Sequence, residues 1–255
     1  METFDSDGVR IAYHRHGAGR PIILVHGFAS NGRVNWLDTG WVDTLCEAGW
    51  GPISIDNRGH GESEKLYDPA LYPARTMAGD VARLIVHLGL VADGEGVPVM
   101  GYSMGARICA FLCMDHPELV RAAIFGGLGI NMIRGIGGSE AIVQALLAPD
   151  LDHVRDRTGR QFRIFAEHTR SDLKALAACM QSSRDPIRAE DLSGIRVPVL
   201  VAVGERDEVG GSAEELAALL PRGTALVIPG RDHMRATGDA LFKKGVIEFL
   251  SELPT

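Results

Sequence analysis

Val97-Pro-Val-Met-Gly-Tyr-Ser103-Met-Gly-Ala-Arg-Ile-Cys-Ala-Phe-Leu112 decides the fold. The first six residues form a short apolar run suited to a buried strand, and the stretch from Met104 to Met114 is patterned as a helix. Gly101-Tyr-Ser-Met-Gly105 joins them with a G-x-S-x-G pattern. A strand passing straight into a helix leaves little room at the turn. Small residues two before and two after Ser103 keep the flanking backbones from colliding, and the turn lifts the hydroxyl clear in strained dihedrals. The helix N-terminus beneath it favours developing negative charge.

Outward from this turn, similar apolar runs recur at Pro21–His26, Gly51–Asp56, Ala122–Phe125, Val197–Val203 and Ala225–Ile228. Continuous apolar runs suit strands buried on both faces of a parallel sheet. Amphipathic, helix-length stretches separate them, at Val42–Ala48, Thr76–Leu88, Ala213–Leu220 and Leu241–Leu250. This alternation predicts a mostly parallel, doubly wound α/β sheet covered on both faces. Asp7-Gly8 adds a hairpin between Glu2–Ser6 and Val9–Arg15. The alternation breaks once, between about Leu128 and Glu190, where helical patterns run without a strand. That segment reads as an inserted helical cap (128–190) between the two parts of the core (1–127 and 191–255), with Gly135, Gly137 and Gly138 as a hinge at its start. Its Arg155, Arg157, Arg160 and Arg163 read as a solvated helical face.

The chain has 255 residues, 45% hydrophobic and 23% charged, with net charge −7. Those values suit a globular domain with a substantial core and disfavour nucleic acid as the main partner. No secretory leader and no membrane-spanning run is visible, so the expectation is a cytoplasmic protein acting on a small molecule, away from membranes. Homo-oligomerisation is not readable. The four cysteines, Cys46, Cys109, Cys113 and Cys179, show neither C-x-x-C nor zinc spacing. Cys109 and Cys113 read as packed core residues, and neither a metal nor a cofactor is expected.

A Ser hydroxyl needs a neighbouring base. Of nine histidines only His233 lies beyond residue 168. It follows the strand ending near Ile228, at the edge where α/β sites gather. The base needs an acceptor to fix its tautomer. Asp207 in Gly204-Glu-Arg-Asp207 lies just past another strand, whereas Glu205 sits too close to it and Asp232 adjoins His233 awkwardly. After Phe125 the chain reads Gly126-Gly-Leu-Gly129, without a carboxylate. Ser103, Asp207 and His233 are therefore the candidate triad. The backbone N–H groups of Met104 and of Phe28, in His26-Gly27-Phe28, are the candidate oxyanion donors. Phe28 is also a candidate wall of the substrate pocket, with Trp36 a further one set against the usual core placement of Trp.

Taken together, these stretches resemble the α/β-hydrolase family over nearly the whole chain. His26-Gly27-Phe28 resembles its oxyanion motif and Asp56-Asn-Arg-Gly-His-Gly-Glu-Ser63 its D-x-R-G-x-G-x-S loop. Gly101–Gly105 is similar to its nucleophile elbow, and Gly204–Asp207 and Asp232-His233 to its acid and base loops. The resemblance implies an α/β-hydrolase fold with a cap and a structural role for Arg58 and His60. It also implies a serine hydrolase, esterase-like, acting on a small to medium acyl ester. Lactone opening, perhydrolysis, carbon–carbon bond hydrolysis and a slow-turnover small-molecule receptor remain open alternatives. Ser103 speaks against dehalogenase and epoxide hydrolase chemistry, which usually carries Asp as nucleophile.

Overall fold

The computed structural model describes residues 1–91, 94–135 and 137–253. Ile136, within the expected cap, and Pro254 and Thr255, at the end of the expected core, lie outside the described residues. The strands are β1 (Glu2–Ser6), β2 (Val9–Arg15), β3 (Arg20–Val25), β4 (Trp50–Ile55), β5 (Val97–Tyr102), β6 (Val120–Gly126), β7 (Val199–Gly204) and β8 (Gly223–Ile228). They form one eight-stranded sheet in the order β1-β2-β4-β3-β5-β6-β7-β8. The β1–β2 hairpin and the β2–β4 pair are antiparallel; every other pairing is parallel.

The period-2 geometry of a strand sends alternate side chains to opposite faces, and here it feeds two cores. Ile23, Val25, Val99, Phe125 and Val201 join one cluster, while Ile22, Leu24, Met100, Ile124 and Leu200 join the other. Both faces of these strands are apolar because both are covered. Helices α1 (Trp41–Glu47), α2 (Ala74–His87) and α3 (Met104–Asp115) follow β3, β4 and β5. Buried residues of α2 and α3 pack into the first cluster and those of α1 into the second.

Between β6 and β7 the chain holds α4 (Asn131–Arg134), α5 (Ser139–Leu147), α6 (Arg157–His168), α7 (Leu173–Ser182) and α8 (Ala189–Leu192), with no strand among the described residues. Helices α9 (Ala213–Ala217), α10 (His233–Ala236) and α11 (Ala240–Ser251) complete the molecule. No helix among the described residues is long and apolar enough to cross a membrane. Cys109 and Cys113 are buried on α3, facing the first cluster.

The basic stretch of the insertion is not uniformly a solvated face. Arg155, Arg157 and Arg160 are exposed, but Arg163 is buried. Its Nη1 donates to Ala145 O, Leu146 O and Ala148 O at 2.9, 3.2 and 2.9 Å. The last carbonyls of α5 lack intrahelical donors, and one guanidinium supplies them from the neighbouring helix. Glu167 Oε1 accepts its Nε at 2.7 Å.

Candidate active site

Ser103 stands between β5 and α3 with φ 54° and ψ −112°, a conformation that L-residues avoid. The surrounding glycines explain how it is held. A Cβ on Gly101 would lie 2.1 Å from Gly105 O, and one on Gly105 would lie 2.0 Å from Val25 O. The elbow therefore packs backbone to backbone on itself and on β3.

His233 opens α10 just beyond β8. Its Nδ1 lies 2.8 Å from Asp207 Oδ2 and its Nε2 lies 3.1 Å from Ser103 Oγ. A carboxylate only accepts, so Nδ1 carries the hydrogen and Nε2 turns its lone pair to the hydroxyl. Asp207 is buried in the loop after β7, and its Oδ1 accepts the Gly210 N–H at 2.8 Å. The structure thus brings Ser103, Asp207 and His233 within hydrogen-bonding reach. The two competing acids are engaged elsewhere. Asp232 accepts the Arg235 N–H at the start of α10, and Glu205 accepts the Gly230 N–H. Tyr102 Oη donates to His233 O at 2.5 Å, tying the base loop to β5. Burial pushes the Tyr102 phenol up, so it stays a donor.

The loop after β3 lies against the nucleophile. A Cβ on Gly27 would sit 3.2 Å from Tyr102 O and 3.5 Å from the Ser103 Cβ. Side chains fix this loop from below. His26 Nε2 accepts the Asn57 N–H at 2.9 Å, which leaves Nδ1 to donate to Gly27 O at 2.7 Å. That carbonyl shares its peptide with the Phe28 N–H, so the His26 bond sets the direction of the amide. Asn35 Oδ1 accepts the Gly27 N–H at 2.9 Å. Among the described residues, no protein acceptor takes the Phe28 or Met104 amide hydrogen.

Burial lowers the His26 pKa and brings that of His60 down to about 3, the latter helped by His26 itself. Both rings are therefore neutral supports. His60 packs between His26 and Phe28, at centroid distances of 5.1 and 5.9 Å, and its Nδ1 bonds Arg58 O. Arg58 in turn makes a two-pronged pair with buried Asp80, at 2.8 and 2.7 Å. Arg58 and His60 brace the loop from a distance.

A cavity of about 240 Å³ opens beside Ser103. Phe28, Met104, Leu128, Phe162, Phe165 and Met180 give it apolar walls. Phe28 meets Phe162 of the insertion edge to face, with centroids 5.8 Å apart. Trp36 does not line it. A short π-helical stretch, Arg33–Leu37, turns Trp36 inward, where it is fully buried against Trp41. Among the lining residues that escape the sequence reading are Asn35, Thr237, Arg107 and Arg184. Arg107 carried a signal, since it stands in the first turn of the helix that follows Ser103. Asn35 and Arg184 arrive through long-range folding and carried none. Among the described residues, no group of three or more His, Cys, Asp or Glu side chains could hold a metal ion.

A family model described as alpha/beta hydrolase fold matches residues 20–133. The chain is 29% identical, over 90% of its length, to the dihydrolipoyllysine-residue acetyltransferase component of an acetoin-cleaving system from Cupriavidus necator, and it spans 63% of that relative. A non-heme chloroperoxidase from Kitasatospora aureofaciens is 25% identical over 96% of this chain and 98% of its own length. Among solved structures, an esterase from Exiguobacterium antarcticum superposes with a TM-score of 0.81 over 99% of this chain and all of that one, at 20% identity. Identity that low speaks to the fold alone.

Proposed function

We propose that this chain, which has the α/β-hydrolase fold, is a serine hydrolase that cleaves carboxylic esters through an acyl-enzyme. The observation that carries the reading is the chain of two short contacts, Asp207 to His233 and His233 to Ser103. Ser103 Oγ attacks the ester carbonyl while His233 Nε2 takes its proton. The carbonyl oxygen becomes an anion facing the Phe28 and Met104 amides, where aimed donors are worth several kcal/mol. The intermediate collapses, the C–O bond to the alcohol breaks, and His233 returns its proton to the departing oxygen. Water, deprotonated by the same imidazole, attacks the acyl-enzyme; acid leaves and Ser103 regains its hydrogen. Asp207 stays ionised and stabilises the imidazolium at each stage.

The likeness to a protein named as a chloroperoxidase favours a second reading, in which hydrogen peroxide replaces water in the last step and a peracid leaves. Both readings share the acyl-enzyme. The test is Ser103→Ala with p-nitrophenyl acetate. The expected result is a fall in turnover on the order of 10⁶-fold. Hydrolysis at the wild-type rate would remove Ser103 from the reaction.

A further inference from the structure

Arg107 stands in the first turn of α3, its backbone N–H 3.3 Å from the Ser103 carbonyl oxygen, and both residues line the cavity. Arg107 is only 4% exposed. Its Nη1 donates to Met132 O and Asp185 O at 2.9 and 2.7 Å, near the two ends of the insertion. That structural tie uses one of three nitrogens. Nε and Nη2 donate to no acceptor among the described residues. They are also absent from the fully enclosed, unpartnered atoms, which are Asn35 Nδ2, Trp36 Nε1 and His60 Nε2. They therefore keep reachable surface, and the residue they belong to lines the cavity.

The charge around this fork is one-sided. Among the described residues no Asp or Glu lines the cavity, while Arg184 lines it as a second guanidinium. Asp185, the acid that Arg107 senses, turns its Oδ2 to the Arg75 N–H at 3.3 Å. Burial, with Arg184 adding to it, lowers the Arg107 pKa to about 10, which leaves it charged at neutral pH. A buried guanidinium with no carboxylate partner is costly unless something anionic joins it. A planar fork with two adjacent free N–H edges matches a carboxylate in bidentate geometry.

We propose that the cavity takes an ester whose acyl chain ends in a carboxylate, a short dicarboxylic half-ester, with the Arg107 fork holding that carboxylate beside the Ser103 hydroxyl. The substrate class rests on the esterase reading above; the anion site does not. The cavity volume, about 240 Å³, keeps the acyl chain to a few carbon atoms.

The experiment compares monomethyl glutarate with methyl pentanoate, equal in acyl length, by pH-stat. The wild-type protein should favour the half-ester about 10- to 100-fold in kcat/KM, the range of a hydrogen bond to a charged group. Arg107→Gln should lower that ratio at least about tenfold, and Arg107→Lys should recover part of it. Equal or better use of the neutral ester by the wild-type protein, or a ratio that Arg107→Gln leaves unmoved, would overturn the proposal. Because Arg107 also ties the insertion down, a second arm leaves it in place. Calorimetric titration of Ser103→Ala protein should show monomethyl glutarate binding at least about tenfold tighter than methyl pentanoate, and weakening as salt rises. Equal affinities would overturn the anion site. If neither ester is hydrolysed, the esterase reading fails, and the calorimetric arm still decides whether the anion site exists.

Discussion

At the C-terminal rim of the sheet, side chains are aimed by the backbone; in the helical stretch between β6 and β7, long side chains help to hold the backbone. Ser103 points where it does because Gly101, Gly105 and Val25 press main chain against main chain. Asp207 and His233 sit in the short loops that leave β7 and β8. The helical stretch between β6 and β7 adds long polar reaches to apolar packing in which Ile142, Leu146, Leu176 and Met180 join the first cluster. Arg163 caps α5 from α6, Arg107 spans Met132 and Asp185, and Thr169 Oγ1 donates to Ala29 O in the loop after β3. The rim is fixed by local sterics that tolerate little change. The helical stretch is fixed by apolar packing on the first cluster together with a few hydrogen bonds that single substitutions remove. One region suits bond-making at a set geometry, and the other can be altered to suit a substrate.

The largest break in this comparison should come from Asp207→Asn. The imidazole would then lose its orienting acceptor, and kcat should fall about 10⁴-fold with little change in melting temperature. A variant within tenfold of wild type would show that the acid acts elsewhere. Next comes Gly105→Ala. Its Cβ would meet Val25 O at 2.0 Å, and backbone cannot give way as a side chain can. We expect about 3 kcal/mol of destabilisation by urea unfolding, with activity lost alongside. An unchanged midpoint would show that the elbow is looser than its contacts imply.

Arg163→Met tests the other side. It would uncap the end of α5 and cost about 2 kcal/mol, read as a lower urea midpoint and faster proteolysis within 128–190. Protection of the β5 and β6 amides from hydrogen exchange should change less. A loss spread evenly over the sheet would erase the distinction between the regions. The smallest effect is a pH slope. His60 ordinarily titrates near 6.5 and is held to about 3 by burial. Between those values the unfolded chain takes up a proton that the folded one refuses, so stability is lost as pH falls through that window. The contribution is at most about 1.4 kcal/mol per pH unit. His60→Phe should flatten the stability slope between pH 6 and 4 relative to wild type; an identical slope would remove His60 as its source.

The same contrast explains what was legible in the sequence. Strand runs such as Val97–Tyr102 and the Gly-Tyr-Ser-Met-Gly turn are local statements, since alternation, length and sterics within a few residues decide them. The hairpin at Asp7-Gly8 was readable for that reason, to the residue. The order of Ser, Asp and His along the chain followed once the strands were placed. For Trp36 the sequence left pocket and core both open, and the π-helical turn that sends it to the core has no short pattern to announce it. Arg163 looked like three exposed neighbours, because its burial depends on carbonyls of α5 that lie 15 to 18 residues away. Arg184 and Asn35 reach the cavity by the same kind of long-range placement.

One measurement reaches the centre of this account most directly: reaction of the protein with a serine-directed fluorophosphonate, followed by intact mass and peptide mapping. The account predicts a single adduct per chain, on the peptide that carries Ser103, and none with Ser103→Ala. An unmodified protein after exhaustive treatment, or an adduct on another serine that survives Ser103→Ala, would contradict it.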